Sequence, residues 1–169
     1  ICVADDPAMH SSQNEQDSRH YAMASKVPML EPADSMEAYT FAKNAFELSE
    51  KFDTPVLLRM CTRIAHSQSI VETGEKVPAT LKDYEKNPAK YIMTPANAIK
   101  RHPLVEERTL KLQEFAENCE YNVVEMNSDE IGIITSGCSY HYVKEVVGDS
   151  ASILKIGMPY PLPDKLIKD

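Results

Sequence analysis

The stretch Val27–Met60, VPMLEPADSMEAYTFAKNAFELSEKFDTPVLLRM, decides the fold. A short apolar segment at Val27–Leu30 is followed by apolar residues at helical spacing over Met36–Phe52, and the helix is introduced by a capping box at Asp34. The apolar run VLLRM then follows a Thr-Pro break. This alternation of strand, helix and strand with short connections predicts a right-handed βαβ unit on a parallel sheet.

Further elements extend this pattern on both sides. The opening ICVAD is typical of a short buried strand, and a polar helix is predicted over Asn14–Ser25. Near the other end we predict, in order, the strand Ile131–Thr135, the helix Tyr140–Val147, the strand Ile153–Ile156 and a helix from Asp164. The patterns together indicate an α/β protein built of three-layer parallel-sheet units.

The middle of the chain breaks the alternation. Residues from His66 to about Pro103 have no sustained period and contain four prolines, which is unusual within one compact domain. One helix follows, with apolar residues on a single face: Val105, Leu112, Phe115, Ala116 and Cys119. We therefore predict three parts: residues 1–70, a linker with one helix at 71–127, and a second α/β domain from 128 to 169. Both ends look cut, so we expect a fragment of a longer polypeptide.

Composition excludes several function classes. The formal net charge of −8 argues against nucleic acids and anionic membranes as partners. There is no run of about 20 apolar residues and no signal-peptide pattern at the N-terminus. The cysteines, Cys2, Cys61, Cys119 and Cys138, form no C-x-x-C pair, so a metal site would need distant segments to converge. Free, mostly buried thiols in the cytoplasm are the expectation.

The polar segment MHSSQNEQDSRHYA, Met9–Ala22, holds candidate catalytic groups. Its hydroxyl and imidazole side chains belong to His10, Ser11, Ser12 and His20. No strained G-x-S-x-G elbow accompanies them, which disfavours a hydrolase. Glu15 and Asp17 are either a carboxylate pair or the acidic start of a solvated helix. The neutral amides Gln13, Asn14 and Gln16 suit hydrogen bonding to a neutral ligand or to another polypeptide.

The segment RMCTRIAHS follows the third predicted strand. Ligands bind at the carboxyl ends of parallel strands, where Arg59 or Arg63 has the geometry to hold a carboxylate by two parallel hydrogen bonds. The alternative is a salt bridge that anchors the linker.

Four blocks of this sequence together resemble one protein family. These blocks are DDPAMHSSQNEQDSRHYA, VPMLEPADSMEAYTFAKNAFELSEKFDTPVLLR, TRIAHSQSIV and IITSGCSYHYVKEV with SASILKIGMPYPLP. They are similar to the alpha subunits of indolepyruvate ferredoxin oxidoreductases, which are thiamine-diphosphate-dependent 2-oxoacid:ferredoxin oxidoreductases. The similarity covers nearly the whole chain, and HSSQNEQD is its most specific block. The linker's YIMTPANAIKRHP also fits the family.

The resemblance implies where a site lies. Residues 1–70 would be the C-terminal part of the pyrimidine-binding domain, and residues 128–169 would begin a transketolase-C-terminal-like domain. The loop His10–Asp17 would then face the cofactor, lined by Ser12, Gln13, Asn14 and Glu15. Arg63 and His66 would hold the domain exit.

The resemblance also implies the reaction. Aryl pyruvates such as indolepyruvate are decarboxylated, coenzyme A accepts the acyl group, and electrons pass through iron–sulfur clusters to ferredoxin. The full enzyme would hold thiamine diphosphate with Mg²⁺ and [4Fe-4S] clusters, and would include a beta subunit. We expect the catalytic glutamate, the pyrophosphate site and the cluster ligands outside this sequence. The fragment alone would then have no catalytic or metal-binding residue, bind no cofactor and be inactive. The alternative is a stand-alone acidic α/β interaction module.

Overall fold

The computed structural model describes residues 1–4, 6, 9, 15–76, 78 and 81–169. Of the predicted site residues, Glu15, Arg63 and His66 belong to these ranges. Ser12, Gln13 and Asn14 lie outside the described residues, as do His10 and Ser11.

The first sheet has three parallel strands: β1 (Cys2–Ala4), β2 (Met29–Leu30) and β3 (Leu57–Met60). The strand order is β1-β3-β2, with Cys2 opposite Leu58 and Leu30 opposite Leu58 on the other side. The parallel pairing of β2 with β3 across a helix confirms the predicted strand–helix–strand unit. Because β3 is central, its residues Leu57–Arg59 are buried.

Three helices belong to this sheet: α1 (Arg19–Ser25), α2 (Ser35–Phe52) and α3 (Thr62–His66). The Asp34 side chain accepts a hydrogen bond from the Glu37 backbone N–H, and Glu37 accepts one from the Ala33 N–H, so the predicted capping box is formed. The polar helix is shorter than predicted and begins at Arg19, because the carboxylate of Asp17 binds the Arg19 backbone and guanidinium just before the first turn.

The middle of the chain is more helical than predicted. A short helix, α4 (Pro88–Tyr91), precedes the long α5 (Pro95–Asn118), which begins eight residues before Pro103 and contains it. Pro95 occupies the first turn, where a missing N–H costs nothing, and the Thr94 side chain caps the Asn97 N–H. These local start signals outweigh the helix-breaking tendency of Pro103.

The second sheet contains β4 (Asn122–Glu125), β5 (Gly132–Ser136) and β6 (Ser152–Ile156) in the order β4-β6-β5. β5 and β6 are parallel and are connected by α6 (Ser139–Val147), while α7 (Asp164–Lys168) follows β6. These elements confirm the predicted second α/β unit to within a residue at most ends. β4 is a strand that the sequence did not predict, and it pairs antiparallel to β6.

A hydrophobic core connects the first sheet to α5 and to residues that flank the second sheet. Leu112 and Ala116 of α5 are fully buried and pack in the same cluster as Leu30, Phe41 and Met158. The sheets also meet at an edge, where the backbone N–H groups of Met29 and Glu31 donate hydrogen bonds to the carbonyls of Tyr160 and Gly157, which follow β6. α5 is thus part of this core. The predicted division of the chain into residues 1–70, 71–127 and 128–169 stays a prediction. No described helix is long and apolar enough to cross a bilayer.

Candidate functional site

A cavity of about 530 Å³ lies where the carboxyl ends of both sheets face each other. Its walls come from the residues that follow β2 and β3, from α1, and from the β5–α6 turn. The lining residues are Asp6, Arg19, Glu31, Arg59, Cys61, Thr62, Arg63, Ser136, Cys138 and Ser139. Carboxyl ends of parallel strands are the usual ligand-binding edge of α/β sheets, so this cavity is the candidate site.

A buried ion pair forms the floor of the cavity. Arg59 Nη1 lies 2.5 Å from Glu31 Oε1, and both side chains are buried. Burial raises the pKa of Glu31, while the charges of Arg59 and Arg19 act in the opposite direction. Glu31 Oε2 is buried without a hydrogen-bond partner among the described residues. Glu31 therefore balances the Arg59 charge at the floor of the cavity.

Gly137 lets the second sheet approach this ion pair. Its φ is +54°, and a Cβ at this position would lie 2.6 Å from Glu31 Oε1. Any side chain here would both strain the backbone and overlap a carboxylate that Arg59 holds in place. The glycine after β5 thus brings the β5–α6 turn against the end of β2.

Asp17 and Arg19 form a second ion pair at the rim. The guanidinium of Arg19 contacts both Asp17 oxygens, at 2.8 to 3.1 Å. These contacts lower the pKa of Asp17 to about 2 and raise the pKa of Arg19. Asp17 is therefore bound to Arg19, while Glu15 is exposed and lies outside the cavity lining.

Arg63 is the most available cation of the cavity. It is exposed, stacks on the Tyr142 ring at 5.3 Å, and forms no ion pair with any residue that the structure describes. His66 is exposed at the last turn of α3 and lies outside the cavity lining. Arg63 and His66 were both predicted to hold the domain exit. Of these two residues, only Arg63 lines the candidate site.

Two cysteines meet in the cavity wall. Cys61 Sγ lies 3.4 Å from Cys138 Sγ, although 77 positions separate them in the sequence. The expectation of mostly buried thiols is wrong, because Cys2 is exposed and Cys61 and Cys138 are half-buried, while Cys119 alone is buried. Their scattered sequence positions concealed this proximity.

The lining suits an anionic ligand. Three arginines and two carboxylates line the cavity, and the hydroxyls of Thr62, Ser136 and Ser139 add neutral donors. Arginine holds carboxylates and phosphates through charge-assisted hydrogen bonds. Among residues 1–4, 6, 9, 15–76, 78 and 81–169 there is no group of three metal-ligating side chains.

Some site residues were missed from the sequence. The predicted site residues did not include Asp6, Glu31 or Gly137, and Cys138 was considered only as one of four scattered cysteines. Each follows a strand at its carboxyl end, which is the one signal that was present. The sequence did not show that these residues lie close together, because their proximity depends on how the second sheet packs against the first.

Comparison with known proteins identifies the relationship. The chain is 44% identical over 99% of its length to the indolepyruvate oxidoreductase subunit IorA of Thermococcus kodakarensis. It is 39% identical over its whole length to the IorA of Archaeoglobus fulgidus, and 42% identical to that of Methanothermobacter marburgensis. This chain is a relative of IorA. The predicted resemblance is confirmed, and the IorA-related chain spans 28% of the length of each of these relatives.

A solved structure shows the same fold. The IorA-related chain superposes on a 2-oxoglutarate:ferredoxin oxidoreductase from Magnetococcus marinus with a TM-score of 0.60, at 16% identity. The match covers 96% of this chain and 38% of that one, whose structure contains 2-oxoglutarate, coenzyme A and succinyl-CoA. No family model matches the sequence. The α/β class with parallel sheets is thereby confirmed.

Proposed function

We propose that this chain is part of an indolepyruvate:ferredoxin oxidoreductase, which oxidatively decarboxylates aryl pyruvates to aryl-acetyl-CoA and passes the electrons to ferredoxin. The relationship to IorA over 99% of the chain supports the proposal. The reaction belongs to the whole enzyme, because the chain spans 28% of its relatives. The beta subunit, ferredoxin, coenzyme A and the 2-oxoacid are the proposed partners, in the cytoplasm.

Within that enzyme, the proposed task of this chain is to hold an acidic part of a ligand. The observation that carries this role is Arg63, an exposed guanidinium in a cavity at the carboxyl edge, without an ion-pair partner among the described residues. Its guanidinium lies over the Tyr142 ring, with Cζ 5.3 Å from the ring centroid, and a cation–π contact of this kind leaves a guanidinium charged and able to bind an anion. A carboxylate of a 2-oxoacid and a phosphate of coenzyme A share the chemistry that such a group recognises.

The remaining cationic groups contribute an electrostatic field. Arg19 is paired with Asp17, and Arg59 is paired with Glu31. Because these guanidinium groups already bind carboxylates, they attract an anionic ligand through their charge and do not supply a second bidentate contact to it. The threonine and serine hydroxyls of the lining would satisfy further oxygens of the ligand. This division assigns the binding contribution mainly to Arg63.

Thiamine diphosphate with Mg²⁺ and [4Fe-4S] clusters are proposed for the full enzyme. The described residues do not fit either metal group, since they include no cluster of three metal-ligating side chains. No step through these groups is therefore derived from this chain. The catalytic glutamate, the magnesium ligands and the cluster cysteines are assigned to other parts of the enzyme, and the isolated chain is proposed to be inactive.

The loop residues Ser12, Gln13, Asn14 and Glu15 stay a prediction. Alanine at Asn14 in the complete enzyme should lower turnover while leaving stability unchanged, and equal kinetics would remove that assignment. His66 keeps its predicted role at the domain exit, and its test is a change in stability without a change in KM.

The test of the cavity uses the complete enzyme with its beta subunit. Arg63→Gln should raise the KM for indolepyruvate or for coenzyme A, and the substrate that responds identifies the anion. A charge-assisted hydrogen bond contributes about 1.5–3 kcal/mol, which corresponds to roughly a 10- to 100-fold change. The matched control is Arg101→Gln, which removes an arginine from a surface pair with Asp53.

Two results would contradict the proposal. Unchanged KM values in Arg63→Gln would remove the binding role of the cavity. Absence of indolepyruvate-dependent and coenzyme-A-dependent ferredoxin reduction by the parent enzyme would remove the proposed reaction and favour the acidic interaction module.

A further inference from the structure

Two thiols from different sheets face each other across the cavity wall. Cys61 directly follows β3, and Cys138 lies between β5 and α6. Their sulfur atoms are 3.4 Å apart. A disulfide bond is about 2.05 Å long, so the two sulfurs are about 1.4 Å farther apart than in a disulfide.

Both thiols are accessible from the cavity. Cys61 and Cys138 line it, and both are half-buried. The other two cysteines lack this combination: Cys119 is buried against the backbone of α5, and Cys2 is exposed on β1. The pair is therefore distinguished by proximity and access together.

We propose that Cys61 and Cys138 are a redox modification site that forms a reversible disulfide between the two sheets, with a peroxide as the oxidant. In the first step a thiolate attacks a peroxide oxygen, the O–O bond breaks, and a sulfenic acid and hydroxide form. In the second step the other thiol displaces the sulfenic hydroxyl, the S–S bond forms, and water leaves. The two sulfurs lose two electrons, hydrogen peroxide gains them, and two molecules of water result. Small-molecule thiols reverse the step by exchange.

The two thiols affect each other's ionisation. Burial, together with the adjacent Cys61 thiol, raises the pKa of Cys138 to about 11. Because each sulfur is the other's neighbour, either one is able to attack the peroxide first, and the other then displaces the sulfenic hydroxyl. The product is the same Cys61–Cys138 disulfide in both cases.

The disulfide changes the cavity directly. It would connect the end of β3 to the start of α6, beside Arg63 and Gly137, in the wall that both sheets share. A covalent bond at this point prevents the second sheet from moving away from the first. Oxidation therefore fixes the distance between the end of β3 and the start of α6 at the cavity wall, and this consequence does not depend on which ligand the cavity binds.

The first experiment uses the complete protein without substitutions. It is exposed to hydrogen peroxide, remaining thiols are blocked, and peptides are mapped by mass spectrometry with and without a reductant. The expected result is a Cys61–Cys138 linked peptide that disappears on reduction. Absence of this peptide, or equal yields of links through Cys2 or Cys119, would overturn the proposal.

Variants then test the pairing. Cys138→Ser should accumulate a sulfenic acid at Cys61, and Cys61→Ser should accumulate one at Cys138, because the thiol that would displace the hydroxyl is absent in each. A dimedone-type probe detects both products. Cys119→Ser is the matched control and should form the linked peptide at the parent rate. Equal loss of the sulfenic acid in the two variants and in the parent would refute the pairing.

Discussion

Replacing Arg59 with methionine tests the buried ion pair at the cavity floor. The substitution keeps an unbranched side chain and removes the guanidinium that lies 2.5 Å from Glu31. At an effective dielectric of about 20, the Coulomb attraction at this distance is about 7 kcal/mol, most of which is offset by desolvation of both charges. Removing one partner leaves Glu31 buried and unpaired, so we expect a loss of about 3–5 kcal/mol in local stability.

An exposed pair of similar geometry supplies the control. Lys111 lies 2.7 Å from Glu107, but their side chains are 61% and 60% exposed, against 3% and 9% for Arg59 and Glu31. Lys111→Met should change stability by no more than about 0.5 kcal/mol, because water screens the pair. The contrast isolates burial as the cause.

Hydrogen–deuterium exchange of the complete protein is the assay, since it reports local opening without assuming two-state unfolding. Peptides over β2 and β3 should exchange roughly 10²- to 10³-fold faster in Arg59→Met, given that about 1.4 kcal/mol corresponds to a factor of ten. Adding Glu31→Gln should recover part of the protection, because no buried charge remains. A change in Arg59→Met as small as that in Lys111→Met would refute the reasoning.

The pH dependence has a defined sign. Burial raises the pKa of Glu31, and without Arg59 the opposing attraction is weaker. A carboxyl group whose pKa is higher in the folded than in the unfolded protein contributes stability below its unfolded pKa, and this contribution is lost as the pH rises through the folded pKa. In Arg59→Met this applies to Glu31 more strongly than in the parent. The loss of stability relative to the parent should therefore grow as the pH rises and shrink as it falls.

Three further predictions concern the elements around the site. The hydrogen bond with Glu125 raises the pKa of Tyr140 to about 12, so Tyr140→Phe should lower the stability of the protein at neutral pH. The stability difference between this variant and the parent should vanish as the pH rises from about 10 through 12, because the tyrosine then loses its proton. Thermal unfolding measures this difference. Leu112→Ala removes a fully buried side chain of α5 and should cost about 2–5 kcal/mol, whereas Leu110→Ala, which is 67% exposed, should change little by the same exchange assay. Asn122→Ala removes three side-chain hydrogen bonds to backbone groups and should lower the local stability by about 1 kcal/mol for each bond. Hydrogen–deuterium exchange at the start of β4 should therefore be faster than in the parent.

Much of the secondary structure follows from short-range patterns. The helix at Ser35–Phe52 was predicted to within one residue, because its period and the capping box at Asp34 are complete within the segment. The two parallel units were predicted for the same reason. By contrast, β4 was missed: it is four residues long, its burial is low, and it exists as a strand only because β6 lies beside it.

The candidate site was predicted only in outline. Arg63 was named because it follows a strand at the ligand-binding edge, and the structure brings it to the cavity. Glu15 and His66 were named from the resemblance, as a lining residue and as a residue of the domain exit, and they lie outside the lining. Side-chain direction at a loop or at the end of a short helix depends on packing, which a single segment does not encode.

The sequence by itself determined the α/β class, the main helices and strands, and the relationship to IorA, since these depend on periodicity, caps and residue identity within short segments. The tertiary structure alone decided that Arg59 pairs with Glu31, that Gly137 packs against that carboxylate, and that Cys61 meets Cys138. The physical reason is that these contacts join residues far apart in the chain, through the packing of one sheet against the other. No local pattern fixes which side chains become neighbours there, because that is set by how α5 and the residues around the second sheet pack against the first sheet.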